Sequence, residues 1–175
     1  MLLKFNSFAD LNTDRLMKIY IESNRENAAH FFPDEQDINK AIRLCEEGFT
    51  KYLKEDFYSQ AGRTYWVLEE DDQWISALRT TFMNDDLYYI EALETKPEYR
   101  KQGYAEKLLL MVVEAFKAQG AFELCDCVSK GNIASLKTHL KAGFSIVSDA
   151  GFDYLQNECN DQEYGMSYKF PKNTI

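Results

Sequence analysis

Long apolar runs are missing from this sequence. No stretch approaches the ~20 apolar residues that a membrane-spanning helix needs, and Met1 to Phe5 is too short for a signal peptide. A cytoplasmic protein with no membrane partner is therefore expected. Cysteine is sparse as well, at four residues. Cys125 and Cys127 stand two apart in an apolar run, where a strand would point both to one face. Cys45 falls in a helical pattern and Cys159 in a polar stretch. That spacing is no disulfide framework, and zinc would want a closely spaced second pair. Free thiols and no metal are expected. Excess positive charge is also absent: 20 basic against 29 acidic residues leave −9. This argues against nucleic acid as a partner and is compatible with a basic or amine-bearing substrate. No repeat, low-complexity tract or linker interrupts the 175 residues, 45% of them apolar, so one domain with a real core is expected.

What is present is a change of period along the chain. Met1 to Phe5 reads as a short strand. Asn12 or Thr13 can cap a helix running to about Arg25. Asn24 to Asp37, with its Asn, His, two Phe and Pro, reads as a loop, and a second helix then runs toward Phe57, weakened or bent at Gly48. After Gly62 the pattern turns to strands: Thr64 to Glu69, Trp74 to Met83 and Leu87 to Thr95. The acidic turns Asp71-Asp72 and Asn84-Asp85-Asp86 join them into an antiparallel meander. Gly103 to Gln119 is a helix with Leu109, Val112, Val113 and Phe116 on one face. Phe122 to Val128 is a covered strand, and Asn132 to Lys141 a short helix stopping at Gly143. Phe144 to Val147 and Gly165 to Phe170 are the last strands. Ser148 to Glu163 reads as a long polar loop with a partial strand near Phe152 to Leu155.

The stretch Glu91 to Ala118 joins a strand, a turn of small residues and a helix start. The first amides of a helix have no intrahelical partner, and the macrodipole adds partial positive charge, so this junction can hold an anion. Gly103 removes a side chain where a bound group would approach the backbone, and Ala105 keeps the next turn low. An ordinary strand–helix connection would look the same on spacing alone.

Arg100-Lys101-Gln102-Gly103-Tyr104-Ala105, after Pro97-Glu98-Tyr99, resembles the acetyl-CoA pyrophosphate loop of the GCN5-related N-acetyltransferases (GNAT). Asn132-Ile133-Ala134-Ser135, followed by Leu140-Lys141-Ala142-Gly143-Phe144, resembles that family's second cofactor segment. The close resemblance spans Asp86 to Phe144, and the rest follows only in element order. It implies an α/β fold with a central mixed, mostly antiparallel sheet flanked by helices. It also implies an enzyme that transfers an acetyl group from acetyl-CoA to a primary amine of a small molecule or peptide. A homodimer is left open.

The resemblance also implies roles for particular residues. The amides from Gln102 to Glu106 would cradle the pyrophosphate, with Arg100 and Lys101 adding charge. The backbone of Leu93, Glu94 and Thr95 would pair with the pantetheine arm, at a strand splayed from its parallel neighbour Phe122 to Val128. Asn132 either caps its helix or lies near that arm, with Ser135 beside it. Where the family commonly has a tyrosine near the cofactor thiol, this chain has His139, the candidate general acid; a histidine without a catalytic role is the alternative. Glu91 is the candidate base, ahead of Glu94. His30, Phe31 and Phe32 would wall the acceptor pocket and Tyr154 its other side. Alternatives are another acceptor such as a hydroxyl, a longer acyl donor, a silent CoA-binding or regulatory domain, and an unrelated α/β interaction protein.

Overall fold

The computed structural model describes residues 1–171. Its centre is a seven-stranded sheet. The strands are β1 (Leu2–Phe5), β2 (Arg63–Glu70), β3 (Gln73–Asn84), β4 (Leu87–Thr95), β5 (Phe122–Ser129), β6 (Ser145–Ser148) and β9 (Glu163–Phe170). Their spatial order is β1-β2-β3-β4-β5-β9-β6. Among the described residues only the β4–β5 pairing is parallel; the other pairings of this sheet are antiparallel. The expected mixed, mostly antiparallel sheet is the one observed.

Period-two alternation splits the core across the two faces of this sheet. Trp66, Leu68, Leu78, Ile90 and Leu124 pack under helix α4 (Tyr104–Lys117), which supplies Leu108, Leu109, Val112, Val113 and Phe116. Tyr65, Val67 and Ala77 face the other way. They meet Leu16 of α1 (Thr13–Met17), then Ile19 and Tyr20, and finally Leu53 and Phe57 beyond α3 (Ile38–Tyr52). The first six residues of β2 are all buried because helices cover both of its faces.

The N-terminal region differs from the sequence reading. Asn12 caps α1 by accepting the Arg15 N–H, but the helix ends after Met17. A tight turn, with Ile19 N–H on Leu16 O, restarts the chain as α2 (Ile21–Phe31). The segment read as a loop from Asn24 is therefore helix as far as Phe31. Asn24 and Ala28, four apart, are its buried stripe, and Asn and His cost a helix little. Pro33 is the true stop, and Phe32 before it already leaves helical geometry. Asp37 caps α3 through the Asn39 and Lys40 amides, and Gly48 sits in its interior without a break. A π-helical turn, Leu53–Phe57, then brings both end residues into the core.

The late polar segment also differs. The partial strand expected near Phe152 to Leu155 is β7 (Gly151–Asp153), and it pairs with a second strand, β8 (Glu158–Asn160), in a hairpin that the loop reading lacked. Helix α5 (Ile133–Lys141) ends as expected at Gly143, with φ of 92°. Phe144 N–H returns to His139 O and Gly143 N–H to Leu140 O, closing the helix with a left-handed residue.

Two features of β4 position the site. Its parallel pairing with β5 covers only Leu87, Tyr88 and Tyr89; beyond Cys125, β5 stays with β9 while β4 stays with β3. The sheet therefore forks. Just past the fork, Ala77 pairs with Glu94 but Arg79 with Glu91, so two residues, Ala92 and Leu93, stand opposite Leu78 alone. This is a bulge, and Ala92 takes φ of 53° within it.

Candidate active site

The fork opens into a cleft of about 670 Å³. One wall is β4 from Leu93 to Thr95. Another is the turn and first helical residues that carry Tyr99, Arg100, Lys101, Gly103, Tyr104, Ala105 and Glu106. Helix α5 contributes Asn132, Ala134, Ser135, Lys137, Thr138 and Lys141, and α2 adds Glu22, Ser23 and Glu26.

The turn has the geometry an anion needs. Gly103 has φ of 84°, a left-handed conformation that glycine adopts without strain. A Cβ placed on it would meet nothing, so the space beside the backbone is open. The first bond within α4 runs from Lys107 N–H to Gly103 O, and no side chain caps the helix. The amides at the helix start thus have no helical acceptor, on a helix of 14 residues. Coenzyme A carries a pyrophosphate that would suit them.

The two cationic residues of the turn behave differently from each other. Arg100 is committed: Nε donates to Thr95 O at 3.0 Å and one terminal nitrogen to Glu94 at 3.2 Å. The other terminal nitrogen pairs with Glu22 of α2. Arg100 thus straps α2 to β4 rather than standing free for a phosphate. Lys101, with φ of 61°, has its place on the cleft wall, and Lys137 and Lys141 face it from α5. Gln102 is not on the wall; its side-chain amide donates to Glu98 O. Glu94 accepts from Ser23 at 2.6 Å. Burial raises its pKa, Ser23 and Arg100 oppose the rise, and Glu22 and Glu26 add to it.

Asn132 caps α5, its Oδ1 accepting the Ser135 N–H at 3.0 Å, and both residues line the cleft. His139, two turns on, does not. It is 1% exposed, with its ring against the edge of Phe144. Nδ1 lies 2.9 Å from the Ser135 carbonyl and Nε2 2.8 Å from Asp126 Oδ2. Both ring nitrogens are therefore occupied inside the protein. The residue it pairs with, Asp126, follows the last parallel pair of the fork. Sequence reasoning passed over it because it reads as one polar residue in an apolar strand.

Glu91 points away from the cofactor cleft. Its Oε1 takes a 3.0 Å ion pair from Arg79, its partner across the β3–β4 ladder. Glu91 Oε2, Arg79 Nε and Arg63 Nε are buried without a hydrogen-bond partner among the described residues. Glu91 shares its sheet face with Tyr89, two residues earlier, and Tyr89 meets the ring of Tyr154 at 5.6 Å. Tyr154 therefore reaches the same face, from the β7–β8 hairpin. His30 lies on the α2 stripe of Glu22 and Glu26, one turn further, packed edge-on with Phe31 at 5.0 Å. Phe31 is 65% exposed, and neither it nor Phe32 lines the cleft.

Cys125 and Cys127 also sit on this face, their thiols pushed by burial up to about 12 and about 11. They are poor nucleophiles at neutral pH. All four cysteines are free, and among the described residues no His/Cys/Asp/Glu group could hold a metal. Among the same residues no helix is long and apolar enough to cross a membrane.

Comparison with solved structures shows the same architecture. The PaiA N-acetyltransferase of Thermoplasma acidophilum, solved with coenzyme A, is 18% identical with a TM-score of 0.63, covering 97% of this chain and 99% of its own. The ribosomal-protein-S18-alanine N-acetyltransferase of Escherichia coli is 17% identical at a TM-score of 0.62, covering 100% and 99%. The N-acetyltransferase PseH of Campylobacter jejuni, solved with acetyl coenzyme A, is 15% identical at 0.57, covering 98% and 100%. Comparison with curated protein sequences finds no match. A family model described as Acetyltransferase (GNAT) family matches residues 14–144. That span holds the bulge, the fork, the glycine turn and α5, and the chain belongs to the GNAT family of acetyltransferases.

Proposed function

We propose that this protein transfers the acetyl group of acetyl-CoA directly to the primary amine of a small molecule or peptide. The single observation that carries the reading is the fork. One cleft joins a bulged strand edge, a helix start with open amides and the capped end of α5. The whole chain acts as one transferase domain, since one sheet runs from β1 to β6.

Acetyl-CoA supplies the acyl thioester, and the acceptor nitrogen replaces sulfur on the carbonyl carbon. The chain's part is to bind and orient, to polarise the carbonyl and to manage two protons. The amides that begin α4, with Lys101 nearby, hold the pyrophosphate. The backbone of Leu93 to Thr95 holds the arm. A bulge amide polarises the carbonyl oxygen. The amine must lose a proton before it attacks. Glu91 receives it, directly or through water, on the Oε2 that Arg79 leaves without a partner. His139 is assigned to structure, because its nitrogens are spent on Ser135 and Asp126. The departing thiolate then takes its proton from solvent.

The fold leaves the acceptor open. Proteins of the same shape are described as acting on a ribosomal-protein alanine and on an aminoglycoside. We assign the acceptor side to Tyr154 of the hairpin and to His30, Phe31 and Phe32 at the end of α2. The direct test is an amine library with acetyl-CoA, following release of free CoA thiol. Turnover with at least one primary amine is expected. Turnover confined to hydroxyl acceptors, or to longer acyl donors, would overturn this reading.

A further inference from the structure

Under the bulge of β4 lies a short chain of phenols that the proposed chemistry has not used. The Tyr20 hydroxyl donates to the Ala92 carbonyl at 2.7 Å. The Tyr65 hydroxyl donates in turn to Tyr20 at 3.2 Å, in a buried contact. The positive charge of Arg79 acts on Tyr65 against the effect of burial. Tyr20 is 5% exposed and Tyr65 0%. Burial raises both phenols' pKa values, so both stay protonated and can donate. Ala92 is the residue with φ of 53°, an unusual conformation for a side chain other than glycine. Something must hold it there, and Tyr20 is the polar side chain that grips it.

We propose that Tyr20 is a positioning residue for acetyl transfer: by holding the Ala92 carbonyl on the α1–α2 side it aims the Leu93 N–H at the thioester carbonyl. The inference rests on the proposed role of the bulge amide. Its physical basis is the planarity of one peptide unit. The C=O of Ala92 and the N–H of Leu93 belong to the same trans peptide and point in opposite directions. A clamp on the oxygen therefore fixes the direction of the hydrogen. Leu93 lines the cleft, whereas Tyr20 packs in the core on the opposite side of β4. A hydrogen bond to the carbonyl also draws electron density from the amide nitrogen and strengthens its N–H as a donor. Bonds in series, Tyr65 to Tyr20 to Ala92, reinforce one another. Because the clamp is buried in advance, no reorganisation is needed when negative charge develops on the substrate oxygen.

The test uses the full chain and acetyl-CoA with a 13C-labelled carbonyl, read by infrared difference spectroscopy. The bound carbonyl stretch of the wild type should lie below that of free acetyl-CoA. In Tyr20→Phe it should move back toward the free position, while calorimetric affinity for acetyl-CoA stays within about threefold, because the cofactor's charged groups are held elsewhere. Tyr65→Phe, one bond further away, should move it in the same direction by less. Replacing Tyr20 with 3-fluorotyrosine, a stronger donor of nearly the same shape, should displace it beyond the wild type; a purely packing role would not respond. An unchanged stretch in Tyr20→Phe overturns this inference alone. A wild-type stretch equal to that of free acetyl-CoA overturns the bulge-amide reading and this inference with it.

Discussion

His139 and Asp126 satisfy each other inside the protein. Nε2 and Oδ2 are 2.8 Å apart, and the other ring nitrogen lies 2.9 Å from the Ser135 carbonyl. A carbonyl can only accept, so Nδ1 carries a hydrogen, and the contact with Asp126 must contain a second proton. The pair is then neutral overall, either as imidazolium and carboxylate or as imidazole and carboxylic acid. Burial raises the pKa of Asp126, opposed by His139. Burial lowers that of His139, but the hydrogen bond and charge of Asp126 outweigh it and the net shift is upward.

The sign of the resulting pH dependence follows. A raised His139 pKa gives stability that is fully present below the unfolded value of about 6.5. That stability is lost as pH rises through the folded value. His139→Phe removes the group that opposes the upward shift of Asp126. The buried carboxyl must then take up a proton, so stability is present below its unfolded value of about 3.9 and falls as pH rises from there. Near neutrality His139→Phe should cost about 3 kcal/mol, as for one partner removed from a buried pair. Urea unfolding at pH 5, 7 and 9 measures this. A variant whose stability follows the wild-type pH slope would remove the pair from the account.

At Gly103 the expectation is a loss of ligand affinity that stability does not explain. Gly103→Val forces a β-branched side chain to φ near 84° and puts a Cβ into space that is open in the free protein. Acetyl-CoA affinity should fall at least tenfold, about 1.4 kcal/mol. Gly103→Asn separates the two causes, because asparagine visits the left-handed region. If it binds as poorly as valine, the space is what the ligand needs; if it binds nearly as glycine does, conformation is. Calorimetry showing wild-type affinity in folded Gly103→Val would remove the turn from the site.

Gly48 is a position where the sequence suggested a bend and the structure has none. It lies in the interior of α3, and an added Cβ would meet nothing within 4 Å. Gly48→Ala should therefore stabilise by about 0.5–1 kcal/mol, mainly by restricting the unfolded chain. Thermal unfolding would show a midpoint raised by a few degrees. A lowered midpoint would point to a contact outside the chain's own packing.

The parts of this fold that were legible in the sequence are those set by neighbours in the chain. Strand alternation in β2, β3 and β4, the Asn12 and Asn132 caps, the Gly143 stop and the Gly103 turn are all local backbone chemistry. The end of α2 is hidden in the sequence because its Asn and His residues suggest a loop, whereas the helix runs to Phe31 and stops only ahead of Pro33. The β7–β8 hairpin was obscured because three-residue strands in a polar stretch carry little alternation. Side-chain direction within the site was harder still. Arg100 turns to Glu22, 78 residues away, and His139 to Asp126, 13 away. Motif spacing places both residues near the cleft, but only the tertiary partners show that their polar atoms are already committed.

Glu91 is where a structural and a catalytic part can be separated. Its carboxylate holds Arg79, whose side chain is 13% exposed and whose guanidinium also packs against the rings of Tyr52 and Phe57. Removing the negative charge therefore strands a buried cation, and some loss of stability is certain to accompany any catalytic effect. Glu91→Gln keeps the shape and an acceptor oxygen for Arg79 while giving up the ability to take a proton. If Oε2 receives the proton of the incoming ammonium, kcat should fall by roughly 10²-fold or more. Acetyl-CoA affinity should hold, since Glu91 is not on the cleft wall. The measurement belongs well below the variant's unfolding midpoint, on whichever amine the library identifies. The double variant Arg79→Met/Glu91→Gln removes the stranded cation and should regain stability without regaining kcat. Recovery of kcat together with stability would assign Glu91 to holding Arg79 and leave water as the base.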